Sequence, residues 1–215
     1  MNRDGIAEPR FPIAPETPGR GEAHVWRVEL PAAGARAAAG RALRRVLGAY
    51  LEELPEAVAL TPAAAGKPAL ATPRPALCFN LSHSGGLALI AVGPGGTEVG
   101  IDVERVRPRR DLTRLAARWL PGEDAAAVRA AADEEREAVF YAAWTRHEAR
   151  IKCTGGGLSG PPPGPDVTAL ALAVDPGYAA ALATAAATPI RVRRFEFPAG
   201  AGRAGPGPRG GSGRG

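Results

Sequence analysis

With 215 residues and 45% apolar content, the chain is long enough for one large domain or two small ones with a real core, and no apolar run approaches the roughly 20 residues of a membrane helix. The formal charge of +5 suits an anionic partner, but much of the excess is Arg on a predicted helix and in the final Gly/Pro/Arg stretch, with few aromatics between, which argues against a single-strand nucleic-acid platform. Cys78 and Cys153 stand outside any Cys-x-x-Cys pattern and no apolar leader precedes the first periodic segment, so reduced thiols, no structural zinc and a cytoplasmic address are expected.

In chain order, residues 1–21 are rich in Pro, Gly and charge and are expected to be disordered. His24 to Leu30 alternates as a strand, with Val25, Arg27 and Glu29 on one side and Trp26, Val28 and Leu30 on the other. From about Ala35 to Leu54 the period becomes helical: Leu43, Val46, Leu47, Tyr50, Leu51 and Leu54 form an apolar stripe, and Pro55 stops it. After the loop carrying Gly66-Lys67-Pro68, a short strand is expected at Leu77 to Phe79 and another at Leu87 to Val92. Between them Asn80 to Gly86 reads as a polar turn. The Pro94-Gly95-Gly96 turn leads into a strand from Val99 to Glu104, most simply as a hairpin, and Asp111 is placed to N-cap a helix carrying Leu112, Leu115 and Trp119. A long helix spans about Asp133 to Cys153, ended by Gly155-Gly156-Gly157. Strands follow at Val167 to Val174, Tyr178 to Ala183 and Ile190 to Phe197. From Pro198 the composition predicts a disordered tail.

The chemistry concentrates at two places. In an extended strand Asp102 and Glu104 share a face while Ile101 and Val103 turn into a core. Adjacent carboxylates repel, so a cation between them is the natural remedy. Glu148 and Lys152, four residues apart on one helix face, offer a third carboxylate and a fixed positive charge. Three carboxylates without a His or Cys cluster suit magnesium or manganese, which keep waters and bind through phosphate-bearing substrates. His147-Glu148 begins like a zinc-protease helix, but no His follows at the required spacing and His147 falls on the apolar side of the helix. His83, between Ser82 and Ser84 and just before two glycines, suggests a phosphate cradle built from free main-chain N–H groups.

Taken together, Gly66-Lys67-Pro68, Asn80-Leu81-Ser82-His83-Ser84, Gly100-Ile101-Asp102-Val103-Glu104 and Phe140 through Trp144-Thr145-Arg146-His147-Glu148-Ala149-Arg150-Ile151-Lys152 resemble the ordered motifs of the phosphopantetheinyl transferases. The larger, single-chain type of that family is the nearer likeness. The resemblance implies an α+β fold of two pseudo-symmetric halves, each a main helix on a small antiparallel sheet, with the active site at their interface. The expected boundaries are 22–98 and 99–197, with 1–21 and 198–215 outside.

The same resemblance implies that the phosphopantetheine arm of coenzyme A moves to a serine of an apo acyl or peptidyl carrier protein. Mg2+, or Mn2+, would be held by Asp102, Glu104 and Glu148. Glu148 would also act as base and Lys152 would bind the pyrophosphate. Lys67, Pro68, Ser82, His83 and an arginine of the first helix, Arg36 first and Arg44 next, would hold coenzyme A and its 3′-phosphate. Nucleic acid and membrane are not expected partners, and a monomer suffices. Two departures stand out: His147 occupies a place where the family more often has Lys, and the segment before Arg36 lacks the usual charged helix. The competing readings are a metal-dependent phosphodiesterase or nuclease, a basic nucleic-acid-binding module, and a family member that binds coenzyme A without turnover.

Overall fold

The computed structural model describes residues 16–62, 67–71, 77–157, 163–185 and 190–198, so the terminal segments expected to be disordered lie largely outside the described residues. The first half runs β1 (Glu22–Glu29), α1 (Ala35–Leu51), β2 (Leu60–Pro62), β3 (Pro68–Leu70), β4 (Leu77–Ser84) and β5 (Leu87–Pro94). It continues with β6 (Val99–Arg105), α2 (Leu112–Trp119), α3 (Gly122–Ala130), α4 (Asp133–Thr154), β7 (Thr168–Leu172), β8 (Tyr178–Thr184) and β9 (Arg191–Glu196). The class is α+β, as the alternation of strand and helix periods implies.

Two sheets lie back to back between two helices. One has the order β4-β5-β1-β9, the other β6-β8-β7, and β2 pairs with β3 in a small separate ribbon. Because side chains alternate along a strand, β1 feeds both faces of its sheet. One row, Trp26 and Val28, packs with Ala88, Ile90 and Val92 against Leu43, Val46 and Leu47 of α1. The opposite row, Ala23 and Val25, joins Leu89 and Ala91 in a second core with Val99, Ile101 and Val103 of β6 and Leu182 of β8. On the far side of the second sheet, Ala149 and Cys153 of α4 pack on Ala181 and Ala183. Each fully buried Leu, Ile or Val contributes on the order of 1.5–3 kcal/mol, so the middle core, shared by both sheets, is what joins the halves.

One glycine decides how close α4 lies to β6. A Cβ on Gly100 would stand 2.1 Å from Ala149 O and 2.3 Å from Cys153 N, so the helix backbone rests directly on the strand.

Several elements differ from the sequence reading. The first helix stops at Leu51 through Glu52 in a left-handed conformation (φ 55°), and Leu54, counted in its apolar stripe, is 73% exposed. The reason is local: Glu53 N–H bonds to Gly48 O at 2.9 Å, turning the chain before Pro55. Asn80 to Ser84 is strand, not turn; β4 and β5 pair from Leu77↔Pro94 to Ser84↔Leu87, leaving Gly85-Gly86 as the turn. The Pro94-Gly95-Gly96 turn does not make a hairpin, because β6 joins the other sheet. Asp111 precedes α2 but gives it no side-chain cap; its carboxylate takes Arg109 Nε at 3.1 Å. Helix α3 and the β2–β3 ribbon had no periodic signal long enough to announce them. β9, last in the chain, returns to the first sheet and runs parallel to β1, with Phe195 opposite Trp26.

Candidate active site

The two sheets meet along β4 and β6, each an edge strand of its own sheet. An edge strand presents unpaired N–H groups, which need partners. Here the partners are side chains. Asn80 Oδ1 accepts Ile101 N–H at 2.9 Å, Ser82 Oγ accepts Val103 N–H at 3.3 Å, and Ser84 Oγ accepts Arg105 N–H at 3.1 Å. Both strands have a two-residue repeat, so one register serves all three contacts. The same register sets the serine hydroxyls against the acids: Ser82 Oγ donates to Asp102 Oδ1 and Ser84 Oγ to Glu104 Oε2, each at 2.9 Å.

From the other side α4 delivers Lys152. Its Nζ donates to Asp102 Oδ1 at 2.6 Å and to Ser82 Oγ at 3.0 Å. Asp102 is buried, and its Oδ2 has no hydrogen-bond partner among the described residues; nor has the buried Oε1 of Glu148. Burial first, then the neighbouring Asp102 charge, pushes the Glu104 carboxyl up; burial, Asp102 and Glu104 do the same to Glu148, while Lys152 opposes both. The three acids therefore lie within one another's fields, on one side of β6 and one turn of α4.

Among the described residues no three Asp, Glu, His or Cys side chains converge as a ready-made metal cage. The donor set still fits a hard cation. Two buried carboxylate oxygens lack partners, all donors are oxygen, and Mg2+ is usually bound by one or two carboxylates plus waters and substrate phosphates rather than by a full protein cage.

Beside the acids opens a cleft of about 560 Å³ lined by Arg36, Gly40, Leu43 and Arg44 of α1, Leu60, Thr61 and Pro68 of the ribbon, Leu81, Ser82 and His83 of β4, and Lys152. Arg36, Gly40 and Arg44 recur at four-residue spacing and so share a helix face. Burial, then Arg36 and Lys152, holds His83 below the usual imidazole range, so the cleft is cationic from several sides.

Of the residues singled out from sequence, Arg36, Arg44, Pro68, Ser82, His83 and Lys152 come together on this cleft, and Asp102, Glu104 and Glu148 lie beside it. Lys67 is not among its lining residues: Nζ pairs with Glu98 Oε2 at 2.8 Å and reaches Val99 O at 3.4 Å. The polar turn expected to cradle a phosphate is instead strand: Ser82, His83 and Ser84 pair with β5, and Leu81, Ser82 and His83 line the cleft. His147 is half-buried, with burial lowering its pKa and Asp124 opposing. Sequence reasoning included Asn80 and Ser84 in its motif but gave them no part in holding β6, although the matching two-residue repeats of Asn80-x-Ser82-x-Ser84 and Gly100-x-Asp102-x-Glu104 were a usable signal.

Residues 98–197 match the family model described as the 4′-phosphopantetheinyl transferase superfamily. The chain is 39% identical over 136 residues to the 4′-phosphopantetheinyl transferase HetI of Nostoc sp., covering 62% of this chain and 57% of that protein. It is 39% identical over 123 residues to the 4′-phosphopantetheinyl transferase AcpT of Salmonella typhimurium (57% of this chain, 62% of that protein) and 39% over 85 residues to psf-1 of Bacillus pumilus (40% and 35%). The matches span about three-fifths of the length of the first two of these relatives. The family match begins at Glu98, one residue before the strand that carries Asp102 and Glu104, and runs through α4 to Phe197. Over residues 98–197 for the family model, and over about three-fifths of its length for HetI and AcpT, the chain is similar to the 4′-phosphopantetheinyl transferase superfamily.

Proposed function

We propose that this protein transfers the 4′-phosphopantetheine arm of coenzyme A to a serine of an apo acyl or peptidyl carrier protein, as a holo-carrier-protein synthase. The serine oxygen forms a bond to the β-phosphorus, the pyrophosphate P–O bond breaks, and adenosine 3′,5′-bisphosphate leaves. The observation that carries this reading is the single junction at Ser82 and Lys152, where a cationic cleft meets three mutually repelling acids.

In this reading Arg36, Arg44 and His83 hold the 3′-phosphate through charge-assisted bonds. Lys67 joins them only by releasing Glu98. The apolar lining at Leu43, Leu60, Pro68 and Leu81 covers the uncharged part of the nucleotide. Lys152, at the junction, holds the pyrophosphate. Asp102, Glu104 and Glu148 would hold Mg2+ or Mn2+, which when bound neutralises charge on the diphosphate. Glu148, whose carboxyl is pushed up by burial and by its neighbours, accepts the proton of the carrier serine, a role worth about 10²–10⁴-fold. The units 22–98 and 99–197 act together as one working monomer, β9 of the second completing the sheet of the first, with free Cys78 and Cys153 in keeping with a reducing cytoplasm.

Incubation with coenzyme A, Mg2+ and a set of apo carrier proteins, read by mass spectrometry, tests the proposal. Addition of the arm to a carrier serine is expected. Its absence with every carrier, while the protein still binds coenzyme A, overturns the transferase reading.

A further inference from the structure

A hydroxyl has one proton to give and two lone pairs to receive. At Ser84 both directions are set. The Arg105 N–H occupies Oγ as acceptor at 3.1 Å, and the proton goes to Glu104 Oε2 at 2.9 Å. Because β4 and β6 belong to different sheets, this contact fixes a carboxylate of the second sheet from the first. It commits Oε2 and leaves Oε1 as the oxygen open to a cation. Ser82 repeats the arrangement at Asp102 with the same offset, so the contact at Ser84 is one rung of a register rather than an isolated bond.

We infer that Ser84 is a positioning residue that orients Glu104 toward the bound cation. The inference rests on the proposed role of Glu104 as a metal carboxylate. It differs from the role of Ser82, which also receives Lys152 and lines the nucleotide cleft. Ser84 is the cleaner probe for two reasons. Its contact to Arg105 N–H is exposed, so water can replace it, whereas Val103 N–H behind Ser82 is buried. Ser84 is also absent from the cleft lining, so its loss leaves the coenzyme A contacts in place.

The test is Mn2+ titration of the full chain without coenzyme A, followed by electron paramagnetic resonance of the free ion. Partners of this kind typically change metal affinity by about 10–100-fold. Ser84→Ala is expected to weaken Mn2+ binding by about 10-fold, with metal-free coenzyme A binding unchanged, and Ser84→Thr, which keeps a hydroxyl, is expected to restore it. Ser84→Cys keeps the volume and offers a weak donor, so it carries the same comparison if the alanine protein does not fold. Wild-type Mn2+ affinity in Ser84→Ala or Ser84→Cys overturns the inference. So does a parallel loss of metal-free coenzyme A binding, which would mark a structural role. If the unaltered protein binds no Mn2+, the metal reading falls and this inference with it; if it binds and the variants bind equally, only the role of Ser84 falls.

Discussion

Gly100→Ala puts one methyl group into the contact that brings α4 onto β6. The added Cβ would lie 2.1 Å from Ala149 O and 2.3 Å from Cys153 N, where ordinary contact begins near 3.4 Å. Both obstacles are backbone, so no rotamer change relieves them, and the helix must retreat by about 1 Å. Overpacking of this sort costs about 1–3 kcal/mol. At about 2–4 °C per kcal/mol for a chain of this size, the melting temperature should fall by about 2–12 °C. The retreat also carries Glu148 and Lys152 away from Asp102, lengthening the 2.6 Å Lys152–Asp102 contact. Misplacement on this scale can cost about 100-fold in rate, so transfer should fall more than the remaining folded fraction explains. Thermal unfolding by circular dichroism, with carrier modification measured at a temperature where both proteins are folded, separates the two effects. Gly122→Ala, where nothing lies within 4 Å of the new methyl, is the control and should leave both unchanged. Wild-type melting and wild-type transfer in Gly100→Ala would refute the argument that this glycine sets the spacing of the site.

Glu148→Gln and Asp102→Asn should abolish carrier modification while circular dichroism remains native; full turnover by Glu148→Gln refutes its role as base. His83→Ala should raise KM for coenzyme A several-fold with kcat little changed, because in the proposed reading it binds the nucleotide away from the reacting bond. His24 supplies a pH test of stability. Burial holds its imidazole below the usual 6.5, against the opposing Glu22 charge, so the unfolded chain takes up this proton at a higher pH than the folded one. Its contribution is complete above about 6.5 and is lost as pH falls through the window beneath. Glu104 and Glu148, held up in the fold, act in the opposite sense, so the measurement is the difference between wild type and His24→Gln in urea unfolding from pH 7 to 5. A difference independent of pH contradicts the assignment.

The strand and helix periods made most of this fold readable. The alternation at Val99–Glu104 correctly gave two acids on one face and an apolar row on the other, because a half-buried strand writes its faces into its sequence. The α4 pattern gave its length and its glycine end, with Gly155 at φ 69°. What failed was tertiary. Asn80 to Ser84 carries turn residues, yet it is a strand, because its polar side chains take the place of a neighbouring strand's main chain; local propensity does not record such a neighbour. The departure of β6 to a second sheet and the return of β9 to the first are likewise set by long-range packing, not by the turns beside them. Lys67 was drawn to the cleft by its motif, but Glu98, thirty-one residues on, holds it elsewhere.

The seam between the sheets explains why these residues can serve a charged substrate without undoing the fold. The apolar row of β6 holds the halves together through the middle core, whose fully buried members are Ala, Val, Leu and Ile side chains. The polar row is free of that duty. Each of its acids is tied by one oxygen to a hydroxyl from β4, so Asp102 and Glu104 are aimed by the first sheet while belonging to the second. Burying an acid without compensation is costly, and Asp102 meets that cost with Ser82 and Lys152 on Oδ1. The remaining oxygen, Oδ2, is left unsatisfied beside the equally unsatisfied Oε1 of a repelled Glu148, an arrangement that a cation would relieve and that a purely structural ion pair has no need to maintain.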